Sequence, residues 1–211
     1  MIFLSHLPLR PASRQVQAEL RDPYQMHRTL GKAFGDGPAE YEAARCLFRV
    51  DGSDEGRELH VLVQSLRPPD WSRLTVGPDY LSAPPEAKTF APALLAGQRL
   101  RFRLRANPTL RRSAGSGNKG TRIGVYGEGE QQAWLARKGE TGGFAVLDGR
   151  VVDGGFVLCR RSGGASAQRH LCVTFDGLLQ VTDPDRLLAT LASGLGSGKA
   201  FGFGLLSLAR A

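Results

Sequence analysis

The sequence contains little cysteine and no long apolar run, and both absences exclude whole classes of protein. The three cysteines are scattered, without the spacing of a zinc site or the even number of a disulfide framework: Cys46, Cys159 and Cys172. We therefore expect buried free thiols. No apolar stretch approaches the roughly 18 residues of a membrane span, and the start MIFLSHLPLR lacks the basic leader and longer apolar region of a secretion signal. A cytoplasmic chain without membrane partners is the expectation.

Acidic residues are also in the minority. The chain has 20 Asp and Glu residues against 28 Lys and Arg, which gives a net charge of +8 and an isoelectric point near 9.9. The acids form no cluster suited to Mg²⁺ ions, so neither a metal nor another cofactor is expected. Surplus basic groups gain affinity for phosphates by releasing condensed counterions. Nucleic acid is therefore favoured as the partner over a membrane surface or an acidic protein.

Apolar periodicity and turn signals divide the chain into two halves. The first half is predicted to contain a strand, two helices and two strands, at residues 2–9, 13–20, 22–34, 45–50 and 58–66. Ser13 and Asp22 are expected to cap the two helices, because both residue types accept hydrogen bonds from free backbone N–H groups. Prolines interrupt residues 71–92, so we place the boundary there and predict domains at residues 1–88 and 89–211.

The second half has a similar order of elements. Its predicted strands and helices lie at residues 98–106, 128–138, 144–147, 155–161, 169–175, 178–182, 183–193 and 201–208. Strand, helix, strands, helix, strand is the ferredoxin-like order, and the first half can be interpreted as a degenerate copy of it. The predicted fold is therefore of the α+β class, with two tandem ferredoxin-like domains.

A glycine-rich segment at residues 194–204 invites comparison with a phosphate-binding loop. A Walker motif would need glycine at the position of Ser193 and Ser or Thr at the position of Ala200. No predicted strand precedes the segment. A nucleotide site, and with it a small-ligand function, is disfavoured. Two interpretations stay open: a loop that lets an RNA backbone approach, with Lys199 as a phosphate contact, or a permissive helix-to-strand turn.

The helix in DPYQMHRTLGK carries the most reactive set of side chains. His27 and Arg28 lie three and four residues after Tyr24, so the three side chains lie near one face, and Lys32 follows four residues after Arg28. A lone helical histidine is usually a packing or surface residue. A histidine beside tyrosine and cationic groups can, however, move protons and stabilise charge at a phosphodiester. The other three histidines are interpreted as structural: His6, His60 and His170.

Basic residues elsewhere form two groups. Arg99, Arg101, Arg103 and Arg105 alternate with apolar residues, which predicts a strand with one buried and one basic face. A loop rich in glycine and serine follows with further cations, and a second basic patch lies beside the segment SGGASA. These candidate RNA contacts are Arg111, Arg112, Lys119, Arg122, Arg160 and Arg161. A solvated charged surface without a ligand is the alternative.

Several of these segments occur together in one known family. The sequence resembles the CasE family of CRISPR-associated endoribonucleases in LPLRPASR, LRDPYQMHRTLGKAF, GQRLRFRLRANPT, QQAWLARKGE and VTDPDRLLATLASGLGSGKAFGFGLLSLA. The likeness spans essentially the whole chain, and the DPYxMHRTL helix together with the glycine-rich ending is specific. It implies two ferredoxin-like domains.

The resemblance also implies a function. It predicts cleavage of a CRISPR precursor RNA at the base of its repeat hairpin, and retention of the mature guide RNA within the Cascade complex alongside other protein subunits. His27 and Tyr24 would carry the cut, with Lys32 as a further catalytic candidate. Arg28, Arg105 and Lys199 join the RNA-binding candidates. A non-catalytic RNA-binding scaffold subunit of the same complex is the alternative.

Overall fold

A computed structural model describes residues 1–52, 58–112, 121–159 and 168–211 of the chain. The elements of the first half are β1 (Ile2–Leu9), α1 (Arg14–Arg21), α2 (Pro23–Gly31), α3 (Pro38–Ala44), β2 (Leu47–Gly52), β3 (Leu59–Ser65) and β4 (Glu86–Phe90). Short 3-10 helices occupy Lys32–Phe34 and Trp71–Arg73. The four strands form an antiparallel sheet in the order β2-β3-β1-β4, with β1 between β3 and β4.

The second half is a more complete ferredoxin-like domain. Its elements are β5 (Arg99–Ala106), β6 (Thr109–Arg112), β7 (Thr121–Gly124), α4 (Glu128–Gly142), β8 (Phe144–Cys159), β9 (Gln168–Val181), α5 (Pro184–Ser193), a 3-10 helix at Lys199–Phe201 and β10 (Leu206–Arg210). The main sheet runs β10-β5-β9-β8, again with the first strand of the domain inside. The hairpin of β6 and β7 is an insertion. Two tandem ferredoxin-like domains are therefore confirmed, and the first lacks a regular helix between β3 and β4, where every residue is described.

Capping residues set the starts of the helices that the sequence predicts. The Asp22 carboxylate accepts a hydrogen bond from the Tyr24 N–H at 3.3 Å, and Asp183 accepts from the Arg186 N–H at 3.0 Å. Each is followed by a proline at the first helical position, where no backbone donor is needed. Ser13 precedes α1 as predicted, but its hydroxyl makes no capping hydrogen bond.

Four elements were not predicted. The short helix α3 begins at a proline and carries little apolar periodicity, and the Glu40 carboxylate accepts from the Gly37 N–H at 3.0 Å to close its first turn. Strand β4 lies at a sheet edge and is exposed at most positions, as are β6 and β7, so the alternation that marks half-buried strands is absent.

Two pairs of predicted short strands are single long strands. The sequence pattern divides β8 and β9 into shorter strands, but the ladder continues along both. It shows register shifts in β8 between Val146 and Asp148 and between Asp153 and Phe156. Such bulges bend a strand without ending it. The predicted strand at residues 201–208 begins only at Leu206, because a 3-10 turn and glycines with positive φ precede it.

Each domain has its own core, and a third small cluster lies where the domains meet. Cys159, Cys172, Phe201 and Phe203 form that cluster, and Tyr24 of α2 packs against it. All three cysteines are buried free thiols, as predicted. The junction therefore brings α2 of the first domain onto the glycine-rich segment of the second.

Buried polar contacts also join the domains. The Arg49 guanidinium, 5% exposed, donates to the Ser207 hydroxyl at 2.9 Å and to the Arg103 carbonyl at 3.3 Å. The Gln64 side chain donates to the Leu191 carbonyl at 2.6 Å. Because an unpaired buried polar group is unfavourable, these contacts favour one arrangement of the two domains.

The predicted boundary between residues 88 and 89 falls within β4. That strand pairs with β1 over its whole length, so it belongs to the first sheet. We propose that the division lies instead in the connection at residues 91–98, between β4 and β5.

Candidate active site and RNA-binding surface

Helix α2 places Tyr24 and His27 side by side at the domain junction. Their ring centroids are 5.6 Å apart and the rings are nearly parallel, at 26°. Tyr24 also lies 5.9 Å from the ring of Phe201, and His27 lies 6.4 Å from Phe48. The predicted pair is therefore brought together, and aromatic walls from both domains surround it.

A third ring, which the sequence did not predict, completes the group. The Oη atom of Tyr41 on α3 lies 2.5 Å from Nδ1 of His27, and the two rings meet edge to face at 83° with centroids 4.6 Å apart. Gly31 makes this approach possible, because a Cβ atom there would lie 2.9 Å from the Tyr41 ring. The sequence signal was weak, since Tyr41 belongs to a short helix that was itself not predicted.

Burial keeps Tyr41 in its neutral form. It raises the pKa of the Tyr41 phenol far above its ordinary value, and Cys46, which is hydrogen bonded to that phenol, acts in the same direction. Burial also raises the pKa of the Cys46 thiol to about 12. A neutral phenol can donate to Nδ1 or accept from it, so this contact orients the imidazole in either protonation state.

Arg28 and Lys32 line the same surface depression as Tyr24, His27 and Tyr41. This depression encloses about 690 Å³ and is open to solvent. Both cations are exposed. Tyr24, His27 and Arg28 thus share one face as predicted, and the depression combines an imidazole with positive charge.

The glycine-rich segment forms a tight turn that packs against α2. Gly194 and Gly204 both have positive φ, and a Cβ atom at Gly204 would lie 2.6 Å from the Leu195 carbonyl oxygen. Lys199 is half-buried and donates to the Ser193 carbonyl at 2.5 Å, and burial lowers the pKa of its amine. These contacts support the turn interpretation. An RNA contact by Lys199 stays a prediction.

The arginines of β5 alternate as predicted with the buried Leu100, Phe102 and Leu104, but two of them also make internal contacts. Arg103 pairs with Asp176 at 2.6 Å. The Arg105 guanidinium lies 3.1 Å from the Cys172 sulfur and 5.2 Å from the Phe203 ring centroid. The structure thus shows Arg105 in the junction cluster, and its predicted role as an RNA contact stays a prediction.

The hairpin of β6 and β7 carries three exposed arginines. Arg111 stands directly opposite Arg122 in the ladder, and Arg112 follows it. Like charges in opposing positions are unfavourable unless an anion compensates them. Lys119, Arg160 and Arg161 lie outside the described residues.

The remaining histidines pack against other rings. His6 and His60 lie 4.7 Å apart, and burial lowers the pKa of His60. His170 Nδ1 lies 3.0 Å from the Asn107 amide nitrogen, and its ring lies 4.7 Å from Phe201. Over the described residues, no three His, Cys, Asp or Glu side chains are grouped as metal ligands. No helix in the same residues is long and apolar enough to span a membrane.

Comparison with known proteins places the chain in a family. A family model described as CRISPR associated protein matches residues 2–210. The CRISPR-associated endoribonuclease Cse3 of Thermus thermophilus is 43% identical over 218 residues, which cover 99% of this chain and 100% of that protein. The CRISPR system Cascade subunit CasE of Escherichia coli is 34% identical over 200 residues, which cover 90% and 92%.

The fold agrees with this relationship. The structure of the CRISPR endoribonuclease Cse3 bound to a 19-nucleotide RNA superimposes with a TM-score of 0.84 and 42% identity, over 98% of this chain and 99% of that one. Sequence and structure thus match over nearly the full length of both proteins. The chain belongs to the family of CRISPR-associated proteins that includes the endoribonuclease Cse3 and the Cascade subunit CasE.

Proposed function

We propose that this protein is an endoribonuclease that cuts CRISPR precursor RNA within its repeats, acts in the cytoplasm and retains the mature guide RNA as a subunit of a Cascade complex. The observation that carries the proposal is the contact of His27 with Tyr24 and Tyr41 in an open depression that Arg28 and Lys32 also line. The names of the two relatives and the RNA-bound structure support the substrate class.

The proposed reaction uses the RNA as its own nucleophile. The 2′-hydroxyl attacks the adjacent 3′-phosphate and loses its proton, the bond to the 5′-oxygen breaks, and that oxygen gains a proton. The products are a 2′,3′-cyclic phosphate and a 5′-hydroxyl. His27 moves a proton in this reaction, because histidine titrates near neutral pH and general acid–base catalysis contributes about 10²- to 10⁴-fold in rate.

The neighbours of His27 have separate roles in this proposal. Tyr24 orients the attacking hydroxyl, and Lys32 with Arg28 stabilises the charge that develops on the phosphate. Tyr41 acts through His27 as a positioning residue. Because side chains supply both proton transfer and positive charge, the proposed mechanism requires no metal ion.

The proposed RNA-binding surface extends from this depression to the second domain. Arg111, Arg112 and Arg122 present exposed charge on the β6–β7 hairpin, and the RNA backbone would relieve the repulsion between the opposing arginines. The proposed RNA-binding residues also include Arg105, Lys119, Arg160, Arg161 and Lys199. An RNA duplex has a deep, narrow major groove that side chains cannot enter to read the bases. Binding of the hairpin through its phosphates fits this geometry.

One experiment tests this function. Purified protein is incubated with a labelled CRISPR repeat RNA in EDTA, and the products are separated before and after acid treatment, which opens a cyclic phosphate. We expect a single cut and an acid-sensitive 3′ end. Binding without cutting would support the non-catalytic scaffold instead, and strict Mg²⁺ dependence would contradict the mechanism.

A further inference from the structure

A second hollow is lined in part by Phe201, the same ring that contacts Tyr24. It encloses about 550 Å³ and is lined by Asn107, Arg122, Tyr126, Phe156, Arg169 and Phe201, among others. Phe201, which is 2% exposed, links this hollow to the candidate active site, because its ring also contacts Tyr24. We propose that this hollow binds one unpaired nucleobase of the RNA, next to the segment that is cut.

Two exposed aromatic rings form the opening of the hollow. Tyr126 is 59% exposed and Phe156 is 46% exposed, which is unusual for side chains that would gain free energy by burial. Their ring centroids are 6.4 Å apart and the rings are tilted by 54°. A flat base that stacks on one ring therefore meets the other ring along its edge.

The backbone around both rings supports this arrangement. Phe156 follows the β8 bulge, where Gly155 has a φ of +74° and donates its N–H to Asp153 at 2.8 Å. Bulges commonly redirect a side chain beside a functional site. The Tyr126 hydroxyl lies over Gly124, where a Cβ atom would be only 2.9 Å away. Both rings are thus positioned by glycines.

The positive charge around the hollow favours a nucleotide over an apolar ligand. The Arg169 guanidinium lies 4.1 Å from the Phe156 ring centroid, which fixes one face of that ring and adds positive charge. Arg122 lies at the same hollow, and none of the described residues that line it is acidic. Aromatic rings combined with arginines are the usual means by which proteins hold unpaired bases and the phosphates beside them.

The floor of the hollow is held by hydrogen bonds of the buried Asn107. Asn107, 6% exposed, accepts from the Leu171 N–H at 3.1 Å, and its amide nitrogen lies 3.0 Å from His170 Nδ1 and 3.3 Å from the Ser197 hydroxyl. A preformed floor lowers the entropy that binding must remove. The site therefore presents a fixed platform beside the proposed cleavage site.

The inference rests on the proposed function for its choice of RNA, but its test does not need cleavage. We would measure fluorescence anisotropy with two labelled ten-nucleotide strands, an oligodeoxyadenylate and an abasic strand of equal length and charge. Neither strand has a 2′-hydroxyl, so neither can be cut by the proposed reaction. The ratio of the two dissociation constants reports base recognition alone.

We expect the wild-type protein to prefer the strand with bases by about 5- to 100-fold, the range expected for stacking on one platform. Tyr126→Ala combined with Phe156→Ala should bring this ratio close to one, and Tyr126→Trp should retain it. The matched control removes two exposed apolar side chains elsewhere, Leu95→Ala with Leu147→Ala, which are 70% and 44% exposed. The control should keep the wild-type ratio.

Two results would overturn the inference. If the Tyr126 and Phe156 variant keeps both the ratio and the two affinities, bases bind elsewhere. If it keeps the ratio but loses affinity equally for both strands, the rings support the backbone path or the fold, which thermal unfolding of the variants would separate. If the protein fails to cut repeat RNA but keeps the ratio, the proposed function fails and the nucleobase site stands.

Discussion

The phenol oxygen of Tyr41 lies 2.5 Å from Nδ1 of His27, although the two residues are 14 positions apart on different helices. The contact determines which way the imidazole faces, and it involves a hydroxyl that burial keeps protonated. An orienting partner behind a histidine is a recurring feature of acid–base sites. This relationship gives the proposed mechanism its most direct test.

Tyr41→Phe removes the hydroxyl and keeps the ring against the imidazole. We expect the single-turnover cleavage rate to fall by up to about 10²-fold, because a misplaced catalytic group loses rate on that scale. The affinity for repeat RNA should stay within about twofold of the wild-type value, since the substitution keeps the ring and removes no charge. The pH–rate profile should also change shape. An equal loss of rate and affinity would indicate a structural tyrosine.

Gly31→Ala tests the same contact from the other side. The new Cβ would lie 2.9 Å from the Tyr41 ring and displace it from His27. Alanine favours a helix by about 1 kcal/mol over glycine, so we expect cleavage to slow without a matching fall in thermal stability. Gly129→Ala on α4 is the control, because nothing lies within 4 Å of its added Cβ. Similar rates for the two variants would contradict the prediction.

His27→Ala should abolish cutting and leave repeat binding nearly intact. One imidazole adds little to an interface in which arginines contact phosphates. Cleavage assays and filter binding on the same preparation separate the two effects. Parallel loss of both would return His27 to a packing role beside Phe48 and Tyr24.

Arg111→Ala with Arg122→Ala should weaken RNA binding and reduce the slope of log K against log salt by about 0.7 to 0.9 per lost phosphate contact. The folded protein should not lose stability, because the two side chains face each other with like charge. The matched control is Arg99→Ala with Arg101→Ala on β5, which removes equal charge elsewhere. The same slope change in both variants would show a general charge effect.

Arg160→Ala with Arg161→Ala extends the test to residues outside the described part of the chain. The resemblance to the CasE family implies that this segment contacts the repeat stem, so we expect weaker binding and a lower salt slope by about one per contact. Cleavage at saturating enzyme should proceed near the wild-type rate. A lower single-turnover rate would mean that the segment also positions the scissile phosphate at His27.

The sequence by itself determined the local elements that form the candidate active site. Asp22 and Pro23 mark the start of α2, and helical spacing places Tyr24, His27 and Arg28 near one face. Both features depend only on residues within a few positions of one another. The alternation in β5 is also a local pattern, and the family motifs are recognised from the sequence alone. Together these features were sufficient to predict the fold class and the family.

Tertiary structure alone decided what stands against those residues. Tyr41 meets His27 only because α3 packs on Gly31, and Phe201 reaches Tyr24 across the domain junction. Arg105 has the same alternating pattern as its neighbours in β5, yet its guanidinium lies against Cys172. Periodicity predicts the face on which a side chain lies, whereas the partner on that face comes from a distant part of the chain, and its contact depends on how the two domains pack.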